Sequence, residues 1–441
     1  SWHLNAGIGT GSLSREGVQV LDFAALTNLQ GGQGADEFVL VDAGGSIANL
    51  DGGAGANSLR ADFQSNGPLE WNVRDGVGGI GDIVGEFRGI AELYGQVGAD
   101  VFNVSGATQL ELIDSGAGDD EIRLADNSRI DFILAGAGAD TVAISDSAMV
   151  AEPIDGGEGD DTLDLTNYAT AVIWNAVEQR IGDFDYLNIE NFKAPAGDEL
   201  RNTFQAPDGY NIWTINGTDS GQLETDGQVV TYQAIANLLG GDMADLFILT
   251  ATGSVSGELD GGAGDNTLQG DDAGNQWTVS DLDAGDLGDR VGAFKRIANL
   301  LGGGGSDSFN IEAGGVLSGV LDAGAGSDSL VSARQQQTWT LFGAAPGTIA
   351  VNDSAAFLEF LNVEALQGTG GDTLLGSELD TLWTIDGAGA GSLIAGGANL
   401  TFANFARVLG GEHRGPRVCG FVPGAGAGAE GRAAVPHCAQ K

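Results

Sequence analysis

Four short segments decide how this chain folds: GQVGADVF (95–102), SGAGDDEI (115–122), AGAGADTV (135–142) and GGEGDDTL (156–163). Each is a turn of small residues, then an Asp, then an apolar residue two positions on. The pattern also occurs outside this run, as GGQGADEF (31–38), GGAGANSL (52–59), GGDMADLF (240–247), GGAGDNTL (261–268), GGGGSDSF (302–309), AGAGSDSL (323–330) and QGTGGDTL (367–374). Its Asp or Asn falls at 36, 57, 100, 120, 140, 161, 245, 266, 307, 328 and 372. The intervals of 21, 43, 20, 20, 21, 84, 21, 41, 21 and 44 residues are one, two or four times about 20.7. A period this constant makes each unit one coil of a solenoid, and the long gaps read as coils whose turn has a different sequence.

Two further columns are apolar throughout. Two residues after the Asp or Asn stand Phe38, Leu59, Phe102, Ile122, Val142, Leu163, Phe247, Leu268, Phe309, Leu330 and Leu374. Seven residues before it stand Leu29, Leu50, Leu93, Ile113, Ile133, Ile154, Leu238, Leu259, Leu300, Leu321 and Ala365. Stacked coils turn these into two inward ladders. The residues after the turn alternate, as in Phe309-Asn-Ile311, which is the strand period. Glycine at this density argues against helix interiors. The expected fold is all-β: an elongated parallel β-solenoid of the β-helix or β-roll kind, about 20 residues per coil. Twenty coils at about 4.8 Å each would run near 100 Å.

A longer module overlies the coil, opening at Trp2, Trp71, Trp174, Trp213, Trp277, Trp339 and Trp383. An aromatic follows, then a segment into the next turn, as in Phe294-KRIANLLGG. One tryptophan per module on an alternating strand reads as core, although an exposed row of them could stack on sugars. The module at Trp174 keeps IWNA and FDYLNIENF but shows no glycine turn. Residues 1–411 form the repeat region. Residues 412–441 carry both cysteines and two of the three histidines, and no coil motif. They are expected to be disordered or artefactual, with a capping tail closed by a Cys419–Cys438 disulfide as the alternative.

Composition narrows the function. The 441 residues include 75 glycines, 62 acidic and 18 basic side chains, for a net charge of −44. Phosphate contacts need Lys and Arg clusters, so nucleic acid is not an expected partner, and an anionic membrane surface is disfavoured. No apolar stretch is long enough for a helical membrane span. The chain begins at Ser1, within a repeat, and is read as a piece of something longer. Catalysis is not expected. Chance pairs of carboxylates abound among 62 acids, the only basic cluster is Arg290, Lys295 and Arg296, and His3 is the only histidine in the repeats.

The GGxGxD copies, best seen at 31–38, 156–163 and 302–309, resemble the nonapeptide of RTX proteins, secreted calcium-binding β-rolls. The Trp strand and the IANLLGG…LDGGAG signature are similar to β-strand-repeat exoproteins of Gram-negative bacteria, filamentous-haemagglutinin-like adhesins. That resemblance covers residues 1–411 and implies a secreted or cell-surface segment with an adhesive, biofilm-type role. It further implies host or matrix glycans or surface receptors as partners, and self-association through solenoid ends. Alternatives are a calcium-binding module that folds on export and a polysaccharide-active β-helix enzyme. RTX repeats place a glycine turn on both sides of each coil. Here there is one per coil, so metal is expected on one edge at most.

Calcium is the expected cofactor, since turns offer it carboxylates and carbonyls. The leading ligands are Asp100, Asp120, Asp140 and Asp161, four coils in series, thickened by Asp119 and Asp160. Asp36, Asp245, Asp307 and Asp328 are weaker candidates. Each Asp could instead cap its own turn by an Asx hydrogen bond, and Asn57 and Asn266 at the same position favour that role there.

Overall fold

The computed structural model describes all residues except 6–9, 16–17, 45, 65–66, 126, 197–200, 344–345, 352–355, 412–416, 421–437 and 441. Every regular element among them is a β-strand. The fold is the expected β-solenoid, built mostly of parallel pairs. The chain divides into two compact units, Ser1–Gln205 with Val229–Ile235, and Ala206–Gln228 with Ala236–Lys441.

The run at 100–163 shows the coil in its simplest form. Gln109–Asp114 leads through a glycine turn to Glu121–Leu124. Arg129–Leu134 then lies parallel to the first strand, and Thr141–Ile144 parallel to the second, with Ile113 opposite Ile133 and Ile122 opposite Val142. Phe102, Ile122, Val142 and Leu163 form one buried ladder, and Leu93, Ile113, Ile133 and Ile154 the other. Each such side chain contributes roughly 1.5–3 kcal/mol by leaving water. The turns pair as well: single bridges join Val97, Ala117, Ala137 and Glu158 into a narrow third strip. Glycine is obligatory there. A Cβ on Gly138, whose φ is +143°, would sit 2.0 Å from the Gly118 carbonyl oxygen.

The tryptophan modules are three-stranded antiparallel meanders inserted into one sheet. In the first unit one comprises Leu69–Arg74, Val77–Ile80 and Val84–Arg88. Its last strand pairs backwards, placing Phe87 beside Leu50. Its first strand pairs forwards, placing Trp71 beside Phe102. The two rings stack at 5.1 Å and 16°. Trp2 stacks on Phe38 and Trp174 on Phe204 in the same way. In the second unit Trp213 lies on Phe247 and Trp277 on Phe309. Trp71, Trp174, Trp213, Trp277, Trp339 and Trp383 are all buried, which is the core role.

Each meander exchanges the roles of the two sheets. Before it, Ile47–Asp51 enters the glycine turn and Ser58–Ala61 leaves it. The meander's last strand takes the next place beside Ile47–Asp51. The following strand, Glu92–Tyr94, therefore falls beside Ser58–Ala61 and now enters the turn, while Asp100–Ser105 leaves it in the sheet of Trp71. The second unit repeats the exchange. Leu259 before the turn pairs with Leu238 and with Phe294 of the meander, whereas the next entering strand, Asn299–Leu301, pairs with Thr267–Gln269. Within each unit the glycine turns thus alternate between two edges, which corrects the expectation of a single turn-bearing edge.

The doubled intervals 57–100, 266–307 and 328–372 each hold a meander. The 84-residue interval hides a coil that sequence reading misses. Asn202 takes the motif position, Phe204 two residues on is fully buried, and Thr203–Gln205 runs parallel to the Trp174 strand. Its turn is spelled with Pro195 and no paired glycines, so only Asn202 and Phe204 carry the signal. Within the tail, Arg417–Gly420 runs parallel to the Trp383 strand with Val418 opposite Trp383, and Cys438–Gln440 pairs antiparallel with it, Cys419 opposite Cys438. The rest of the tail, 412–416, 421–437 and 441, lies outside the described residues.

Phe309→Ala removes a ladder side chain and the stacking partner of Trp277. It should cost about 3–5 kcal/mol, concentrated in neighbouring coils. Melting followed by tryptophan fluorescence and by local hydrogen exchange checks this. A variant that melts with the parent would contradict the inward ladder.

Candidate functional site

The turn aspartates are buried, apart from the half-buried Asp36, and their arrangement is a relay. Asp100 donates its backbone N–H to Asp120 Oδ1 at 2.7 Å, Asp120 to Asp140 Oδ1 at 2.7 Å, and Asp140 to Asp161 Oδ1 at 2.8 Å. Asp307 donates likewise to Asp328. Asp36 donates to Asn57 Oδ1 and Asp245 to Asn266 Oδ1, both at 2.8 Å. An amide oxygen serves as well as a carboxylate here, because only one acceptor atom is used. Each side chain thus caps the turn of the preceding coil rather than only its own.

The second oxygen divides the aspartates into two groups. In Asp36, Asp100, Asp245 and Asp372, Oδ2 accepts an N–H from its own turn: Gly32, Gln96, Gly241 and Thr369. In Asp120, Asp140, Asp161, Asp307 and Asp328 it is buried without a hydrogen-bond partner. The first group follows directly on a meander, as does Asp307 of the second group. Asp100 also accepts Trp71 Nε1–H, and Asp245 accepts both N–H groups of Asn211. Sequence reading missed these partners. Their signal is a polar residue two places before the tryptophan, as in Asn211, Asn275 and Gln337.

Burial without a countercharge disfavours the ionised form. It pushes the Asp120 carboxyl up to about 8, with the charges of Asp140 and Asp100 adding to it. Asp100, Asp140 and Asp245 are each pushed up to about 6, burial again dominating. Asp161 and Asp307 are raised for the same reason.

Asp119 and Asp160 do not join this row. Both are exposed. Asp119 Oδ1 accepts the Ala139 N–H and Asp160 Oδ1 accepts Asn191 Nδ2–H. Among the described residues, no group of three or more His, Cys, Asp or Glu is placed to hold a metal ion. The basic cluster is also committed to the framework. Lys295 and Arg296 pair with Asp260. Arg290 pairs with Asp271 at 3.0 Å and donates to the Gly253 and Thr250 carbonyls.

No protein-family model matches the chain, and no curated protein is similar to it in sequence.

The raised carboxyls give a signed pH dependence. The folded chain holds protons that the unfolded chain releases, so their stabilising effect is complete below about pH 4. It is lost as pH rises through about 6 at Asp100 and Asp140 and about 8 at Asp120. Melting temperature should fall from pH 5 to pH 9. Asp120→Asn with Asp140→Asn, which keeps each Oδ1 acceptor, should flatten that slope; an unchanged slope would show that these carboxyls are already ionised.

Proposed function

We propose that this chain is an adhesive scaffold segment of a secreted or cell-surface bacterial protein. It is a structural repeat protein, and its buried polar groups and ring stacks serve coil-to-coil contact. The observation that carries the reading is the relay of turn side chains. It commits an oxygen of the one repeated polar residue to stacking between coils. The strongly acidic surface and the resemblance of residues 1–411 to exoprotein repeats support placement outside the cell. A stack of this kind displays outward rows of side chains at regular spacing, suited to many weak contacts with glycans or receptors.

Removing one whole coil, residues 120–139, joins Asp119 to Asp140 and regenerates the GAGDD turn. The shortened chain should fold, with circular dichroism unchanged in shape, and should keep its binding to immobilised matrix glycans or cells. Collapse of the fold would count against nearest-neighbour stacking. Loss of all binding with the fold intact would point to a discrete site in that coil, and new reducing ends on incubation with polysaccharide would favour an enzyme.

A further inference from the structure

Each run of glycine-turn coils ends against the connector that leaves the next meander, and two forms of connector recur. All begin with a residue of left-handed φ, among them Gly89, Asn188, Arg296 and Asn362. Two residues later stands Ala91 or Ala298 in one form, Glu190 or Glu364 in the other. The backbone frame is shared: the carbonyls of Asn57, Asp161 and Asp328 accept N–H groups from Ala91, Glu190 and Glu364.

The side chains differ in step with the connector. At the connectors carrying Ala91, Ala236 and Ala298 the motif residue is Asn. Asn57 Nδ2 donates to the Gly89 carbonyl at 2.9 Å and Asn266 Nδ2 to the Arg296 carbonyl at 3.0 Å. Asn202 does the same to Ala234 at 2.7 Å. Where the connector carries Glu, the motif residue is Asp. Asp161 and Asp328 donate their backbone N–H to Glu190 Oε2 and Glu364 Oε2, both at 2.9 Å. The glutamate thereby stands where the next coil's aspartate would. The last junction is a third form: its connector carries Ala406 but closes on Asp372, the Asn404 carbonyl accepts the Gly370 N–H at 2.7 Å, and Asn404 Nδ2 donates to the Gly368 carbonyl at 2.8 Å.

We infer that these pairs are matching locks that fix which connector each run of coils closes on. The need is physical. Coils so alike in sequence can slip by one whole unit and still fill both apolar ladders, so the ladders cannot set the register. The junction can. An aspartate in place of Asn57, Asn202 or Asn266 has no side-chain N–H to offer the left-handed residue's carbonyl, which at Asp372 is met instead by the Gly370 N–H, and facing Ala it also lacks the glutamate acceptor for its own backbone N–H. Asn266→Asp would thus lose the amide bond to the Arg296 carbonyl and bury an unpartnered oxygen, and removing Glu364 would leave the Asp328 N–H without its acceptor; a lost partner of this kind costs more than the matched bond contributes. The inference builds on the stacked-coil scaffold and is independent of what that scaffold adheres to.

The test uses the full chain and two junctions. Asn266→Asp alone should lower the melting temperature by about 2–4 °C, and Asn266→Asp with Ala298→Glu should recover most of the loss. At the other junction, Glu364→Ala should speed exchange of the Asp328 amide by about tenfold or more, whereas Glu364→Gln keeps an acceptor oxygen and should keep protection. Equal melting of the single and double variants, or an Asp328 amide indifferent to Glu364→Ala, would overturn the lock. Glycan or cell binding is read separately, so failure of the adhesive reading cannot be mistaken for failure of the lock.

Discussion

Stacking strands at about 4.8 Å leaves one problem at every corner: a turn's backbone N–H groups face neither strand partner nor water. The structure depends on how that is answered. Within a run of coils an Asx oxygen reaches across to the preceding coil's N–H, so the corner is satisfied only when the next coil is in place. Side-chain capping, usually local, becomes a link between neighbours. This makes the coil, rather than the residue, the unit of stability, as expected of a one-dimensional repeat.

The same answer has a cost. Between two neighbours of its own kind, an aspartate keeps one oxygen engaged and the other buried. Directly after a meander the turn supplies a second N–H at Asp100, Asp245 and Asp372, from Gln96, Gly241 and Thr369, but not at Asp307. Asp120, Asp140 and Asp161 lack it. A buried carboxylate with no cation beside it prefers to stay protonated. The long run therefore gains regular stacking and accepts a dependence on protons, while the meanders interrupt that accumulation and add large aromatic stacks.

Much of this was legible in the sequence. The motif interval gave the coil, and the positions of Phe309 or Leu300 gave the ladders, because a period near 20 repeats the same environment each time. The meander was less legible. Its tryptophan and aromatic were visible, but nothing in a linear reading says that Trp71 pairs forwards and Phe87 backwards; that follows from an odd number of strands entering one sheet. Asn202 was missed because its turn uses proline where others use glycine. Glu190 and Glu364 were missed because their role exists only across a junction. The aspartates were legible as turn residues, but their reach into the neighbouring coil needs the three-dimensional register.

The exchange of edges at each meander bears on how such a chain can change in length. Adding or losing a simple coil shifts everything after it along the stack and leaves every face as it was. Adding or losing one meander-bearing module inverts parity: within that unit, each later glycine turn moves to the opposite edge, and each outward row of side chains trades sheets. Two modules together restore the original pattern. Growth by coils is therefore silent to the surface, growth by single modules rewrites it, and growth by pairs of modules lengthens the stack while conserving what each side displays.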